Sequence, residues 1–96
     1  MNSKQRNYLT KKAHDLKAEV YIGKNGINEN IIDAAKENID KNELLKVKVH
    51  NDSPVKKKNA ADYLSEEIDA EVVRILGNII ILFKQKTKKS NYNIPK

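Results

Sequence analysis

Four consecutive residues carry the most specific chemical pattern in this chain: Gly23-Lys24-Asn25-Gly26. Two glycines three positions apart permit positive φ and let another backbone approach closely. Amides in such a turn, exposed ahead of a helix N-terminus, attract anions, and Lys24 adds a mobile charge at the tip. The pattern suits a loop that clamps a phosphate backbone. It equally suits an ordinary strand-to-helix turn. It is not a mononucleotide P-loop, because no Gly-Lys-Ser/Thr follows, and it is not a G-x-G-x-x-G dinucleotide loop.

Other groups are more equivocal. Lys56-Lys57-Lys58 falls in the first turn of an expected helix, where the dipole disfavours cations by about 0.3–1 kcal/mol each. The run is either a second phosphate contact or a solvated run screened by salt. Lys46 and Lys48 share one strand face, either as an exposed surface for RNA or as protective charges on a solvated face. Tyr8, Tyr21, Tyr63 and Tyr92 could stack on bases, but Tyr21, inside a short strand, is expected in the core. No catalytic group is assigned. Glu66-Glu67 is a helix-face pair rather than a placed dyad, and no G-x-S-x-G elbow exists. With no cysteine, disulfides and thiolate chemistry are excluded. His14 and His50 lie far apart with no H-x-x-x-H spacing, so no metal and no cofactor is expected.

These groups must be positioned by a small set of elements. The first helix is expected over residues 4–16, with Ser3 as N-cap and Leu9, Ala13 and Leu16 as its apolar stripe. Residues 19–22 form a short strand running into Gly23. A second helix starts at Asn28, stapled by Ile27 and Ile32, buries Ile31, Ile32, Ala35 and Ile39, and stops near Asn42. Residues 45–49 alternate as a strand, with Leu45, Val47 and Val49 facing a core. Ser53-Pro54 reads as the N-cap and first position of a third helix, which buries Ala60, Ala61, Leu64 and Ile68. Residues 72–76 and 79–83 form a hairpin around Gly77-Asn78, whose glycine suits a type II′ turn. The last strand is almost wholly apolar, so it is expected at the centre of the sheet. The order is α-β-α-β-α-β-β, a compact α/β domain with a four-stranded mixed sheet. The domain is expected over residues 1–84, with a basic, flexible, solvated tail over 85–96.

The chain has 96 residues with 19 basic and 13 acidic side chains, a formal charge of +6. The excess sits at the ends: residues 1–24 carry a balance of +4, residues 25–83 carry −3, and residues 84–96 carry +5. This asymmetry points to a polyanionic partner, nucleic acid being the commonest, although net charge also serves solubility. No apolar run reaches the roughly 18 residues of a membrane span, and Met1–Arg6 leads into no signal-like apolar segment. A cytoplasmic protein without membrane contact or small-molecule substrate is expected.

Taken together and in order, several segments resemble a known family. Ser3-Lys4-Gln5-Arg6-Asn7-Tyr8-Leu9 resembles the first helix of the CRM-domain family (chloroplast RNA splicing and ribosome maturation), and in particular its small single-domain bacterial members, the YhbY-like proteins. Tyr21-Ile22-Gly23-Lys24-Asn25-Gly26-Ile27 resembles its signature loop, and Glu43 to Val49 its second strand. Ala70 to Asn78 followed by Ile79 to Lys84 resembles its closing hairpin, and Ile94-Pro95 its tail. Phe83 stands where the family often has tyrosine, and Asp15 and Ala18 depart from a stretch often rich in leucine and proline. The resemblance implies a fold akin to the C-terminal domain of translation initiation factor three. It also implies RNA binding through the Gly-x-x-Gly loop and basic surface, and association with ribosomal RNA in precursors of the large ribosomal subunit; no catalysis and a monomer are expected. By position the expected RNA contacts are Gly23, Lys24, Asn25 and Gly26 in the loop. Lys4, Arg6, Lys11 and Lys12 follow on helix one; Lys46 and Lys48 on the strand and Lys84 at the start of the tail are expected contacts from their charge, not from the resemblance. The rival readings are a permanent ribosome-associated or translation-factor-like protein, a DNA-binding protein, and a small ribonuclease using His14 or His50.

Overall fold

The computed structural model describes residues 1–96. Helix α1 spans Ser3–His14, strand β1 Val20–Ile22, helix α2 Glu29–Asn42 and strand β2 Leu44–Val49. Helix α3 (Lys57–Glu67) and strands β3 (Glu71–Leu76) and β4 (Ile79–Phe83) complete the expected α-β-α-β-α-β-β order. The sheet is mixed, in the order β1-β2-β4-β3, with β1 parallel to β2 and the other pairs antiparallel. As its apolar run implies, β4 is central, and Ile80, Ile81, Leu82 and Phe83 are buried. Fully burying such a side chain stabilises the fold by about 1.5–3 kcal/mol.

Helices cover both faces of the sheet. On one face Ala35 and Ile39 of α2 and Ala60, Ala61 and Leu64 of α3 pack on Val20, Ile22, Leu45, Val47, Val49, Ile80 and Leu82. On the other, Leu9 and Ala13 of α1 pack on Leu44, Val73, Ile81 and Phe83. The alternation of β2 is thus used on both sides, with Leu44, Lys46 and Lys48 facing the α1 layer. Between Val72 and Arg74 the register slips, leaving Val73 as a bulge in β3. The β3–β4 turn has positive φ at Gly77 and not at Asn78, as a type II′ turn requires.

Several boundaries differ from the sequence reading. Asn2, not Ser3, caps α1: its side chain accepts from the Gln5 amide and Gln5 reaches back to the Asn2 amide. The helix stops at His14, leaving Leu16 outside the stripe and 38% exposed. Ser53 and Pro54 do not open α3, which begins at Lys57 after an N-cap, Lys56, that makes no side-chain cap bond. Ser53 instead closes a turn, its amide donating to the His50 carbonyl and its hydroxyl accepting from the Val55 amide. Ser-Pro suits a turn as well as a helix start.

The segment after β4 folds back over the α1 face. Tyr92 and Ile94 pack on the Leu9–Phe83 cluster, and the Tyr92 ring meets Phe83 edge-on at 5.6 Å. Glu43 anchors this segment. It adopts φ +69° at the end of α2 and is fully buried. Its carboxylate accepts from the Lys86 amide, the Ser90 hydroxyl and the Asn91 amide. The sequence reading expects a basic, solvated extension here; two apolar side chains and one buried carboxylate hold it against the sheet.

Candidate nucleic-acid interface

Gly23–Gly26 forms a tight turn. The Gly26 amide donates to the Gly23 carbonyl at 3.0 Å, and Lys24 and Asn25 project at the exposed tip. The amides of Lys24 and Asn25 have no acceptor in the protein. Gly26 is buried with φ +69°, against Pro54 and Val55 of the β2–α3 loop. Helix α2 begins shortly afterwards, and Asn28 caps it by accepting from the Ile31 amide. The helix N-terminus therefore already has a side-chain partner, and the anion-attracting groups of this loop are the tip amides and Lys24.

Because β1 and β2 are parallel, their C-terminal ends lie side by side, with Ile22 paired to Val49. The His50 amide donates to the Ile22 carbonyl, and the Val49 amide donates to Asn78 in the β3–β4 turn. Asn78 also donates to the Asn51 side chain at 3.2 Å. Three connections thus converge on one end of the sheet. Between two of them lies an open hollow of about 470 Å³ lined by His50, Asn51, Lys56, Lys57, Lys58 and Asn78. Segments 20–28, 48–58 and 77–79 carry five lysines and one carboxylate, Asp52.

Of the residues singled out from sequence, this end gathers Gly23, Lys24, Asn25 and Gly26 with Lys48, and adds Lys56, Lys57 and Lys58. The others are dispersed. Lys46 is half-buried in the middle of β2 and donates to the Leu16 carbonyl at 2.9 Å. Lys84 lies at the opposite end of the sheet, beyond the Leu44–Phe83 pair, with Asp40 at 3.4 Å. On α1, Lys4 and Lys11 are exposed, and Lys12 sits 5.6 Å above the Tyr8 ring. Arg6 serves the fold, because its Nη1 donates to the Val72 and Val73 carbonyls at 2.7 Å and so fills the β3 bulge.

Sequence reasoning misplaces one residue of this end and passes over another elsewhere. Tyr21, expected in the core, is 54% exposed. The alternation of Val20, Tyr21 and Ile22 is the signal: with both neighbours buried, the middle side chain points to the other face. Glu43 is the residue passed over, although a carboxylate directly before an apolar strand is its visible trace.

Two groups titrate away from their ordinary values, and both belong to the folded-back segment. Burial pushes the Glu43 carboxyl up, but bonds from the Asn91 amide, the Ser90 hydroxyl and the Lys86 amide, with the Lys86 charge, outweigh it and hold it below 4.5. Burial raises the Tyr92 phenol, helped by the Glu43 charge and by Tyr8. No three His, Asp or Glu side chains gather into a metal-binding group, and no helix is long and apolar enough to cross a membrane.

The resemblance implies a compact α/β domain with a four-stranded mixed sheet, and the fold is that one, with the Gly-x-x-Gly turn between β1 and α2. Residues 1–84 match the CRS1/YhbY (CRM) domain, and the chain belongs to that family. It is 30% identical over 95 residues to the Bacillus subtilis protein YqeI, named a probable RNA-binding protein, with 99% of each chain covered. It is 29% identical over 84 residues to a Haemophilus influenzae protein named an RNA-binding protein, covering 88% of this chain and 85% of that one. The solution structure of Staphylococcus aureus SAV1595 superposes with a TM-score of 0.83 at 33% identity, covering 99% of both chains.

Proposed function

We propose that this protein binds RNA without catalysing a reaction on it, and that its target is ribosomal RNA in precursors of the large ribosomal subunit. The observation that carries the reading is the sheet end where the Gly23–Gly26 turn, with its unpartnered tip amides, stands beside Lys48 and Lys56–Lys58. The names of its relatives support the same class of ligand. In this reading the tip amides and Lys24 grip the ribose–phosphate backbone, while Lys4, Lys11, Lys12 and Lys84 add salt-sensitive affinity. Arg6, bonded to the bulge carbonyls, contributes mainly by holding α1 on the sheet. The grip is on the backbone, so RNA shape matters more than sequence. The protein acts as a cytoplasmic monomer.

The test is gradient sedimentation of lysate with detection of the protein in each fraction. Enrichment with large-subunit precursors, lost at high salt, is expected. Even distribution over mature ribosomes would favour a permanent ribosomal or translation role, and absence from all ribosomal fractions would overturn the assignment. In direct binding, Gly23→Asp places a side chain and a negative charge beside the tip amides, at a glycine where an added Cβ meets nothing within 4 Å. It should weaken RNA binding at least tenfold, a loss of about 1.4 kcal/mol, and unchanged affinity in a folded variant would remove the loop from the interface.

A further inference from the structure

On the α1 face, one residue from each strand falls in a single cross-strand row. Tyr21 pairs with Lys48, Lys48 with Ile79, and Ile79 with Leu76. Helix α1 reaches only the Ile79–Leu76 end of this row, where Ile79 packs on the Leu9–Ala13 cluster, and leaves the rest open. Tyr21 is 54% and Leu76 47% exposed, Lys48 is exposed and Ile79 half-buried. The Tyr21 ring lies 6.3 Å from the His50 ring, which extends the aromatic surface toward the lysine-lined hollow. Tyr21 is two residues before Gly23, about 7 Å along the strand from the turn. The row therefore begins where the proposed backbone clamp ends.

We propose that this row is a stacking platform for an unpaired base, so that the protein selects RNA in which a single-stranded nucleotide lies next to the clamped backbone. The inference rests on the RNA-binding reading and deepens it by naming the RNA class. Aromatic and apolar side chains offer a π-face and an apolar floor to any base, and a neighbouring lysine holds its phosphate. The charge of the row favours RNA over a protein partner. A cation stands in its centre, Lys24 stands at one end, and the row contains no carboxylate.

The test compares binding of the full chain to a short oligoadenylate, a mixed-sequence RNA duplex, and the same duplex with one unpaired adenosine. Wild-type protein should prefer the two RNAs with unpaired bases. Tyr21→Ala should lower affinity for those two by about 5- to 150-fold and leave duplex binding unchanged. Tyr21→Phe, which keeps the ring, should restore the preference, and Tyr21→Thr, a good strand former, replaces the alanine variant if that loosens the edge strand. Lys24→Ala should lower affinity for all three RNAs alike. Equal wild-type binding to all three RNAs, or Tyr21→Ala binding like wild type, would overturn the platform while leaving the RNA-binding reading intact. If none of the three RNAs binds, both readings fall.

Discussion

Gly23 and Gly26 bracket one turn but carry different constraints. A Cβ at Gly23 would meet nothing within 4 Å, and its φ is not in the left-handed region. Gly26 has φ +69°, and a Cβ there would touch Pro54 and Val55 at 3.5 Å, an ordinary contact. Its cost therefore comes from the backbone. We expect Gly26→Ala to lose about 1–2 kcal/mol in urea unfolding and Gly23→Ala to be near neutral. An equal loss at both would mean that the turn, rather than the φ of Gly26, sets the requirement. The importance of the glycine pair is legible in the sequence, but the division of labour between them is not, because it depends on where residues 54 and 55 return in space. The position of Tyr21 escapes the sequence for a simpler reason. A tyrosine in a short strand is commonly core, but the helix that would cover this one ends on the other strands.

At the scale of elements, the return of residues 85–96 depends on Glu43. A carboxyl held below its ordinary value stabilises the fold fully above the unfolded value of 4.5, and that contribution is lost as pH falls through the lower folded value. The amides of Lys86 and Asn91 should therefore be protected from exchange near neutral pH, and their protection relative to the intrinsic rate at each pH should be lost as the solution is acidified below pH 4.5, ahead of global unfolding. Glu43→Gln should lack this protection already at neutral pH and lose about 1–3 kcal/mol. Protection of these amides that does not change with acid in the wild-type protein would contradict the anchor. None of this is visible in composition, since Tyr92 and Ile94 are two apolar residues in a run of Lys, Ser, Asn and Thr with no periodicity. The start of α3 is misread because Ser53-Pro54 serves a turn as readily as a cap. The hairpin, the central strand and the capping of α2 by Asn28 are readable, because each follows from a local pattern that tertiary packing reinforces.

For the whole molecule, charge and anchoring can be separated. Removing residues 86–96 would strip the partners of a buried carboxylate and uncover Phe83, so truncation would confuse electrostatics with stability. Lys88→Gln and Lys89→Gln together keep the backbone, the Lys86 charge beside Glu43 and the Ser90 contact. If these lysines lie against phosphates, the slope of log affinity against log salt should flatten by up to about 2, with the melting temperature little changed. An unaltered slope would place the segment away from RNA. The layer order and sheet class follow from the alternation of elements, whereas the clustering of five lysines at one end requires the parallel pairing of β1 and β2. The strand order has a further consequence, for assembly of the fold itself. Strand β4 joins β2 to β3, yet it follows every helix and every other strand along the chain. Until it docks, the sheet exists only as a two-strand fragment beside an unpaired strand, and both apolar layers lack the side chains of Ile80, Ile81, Leu82 and Phe83. A growing chain therefore completes both layers of its interior only when this last strand is made, so its final packing comes late in synthesis.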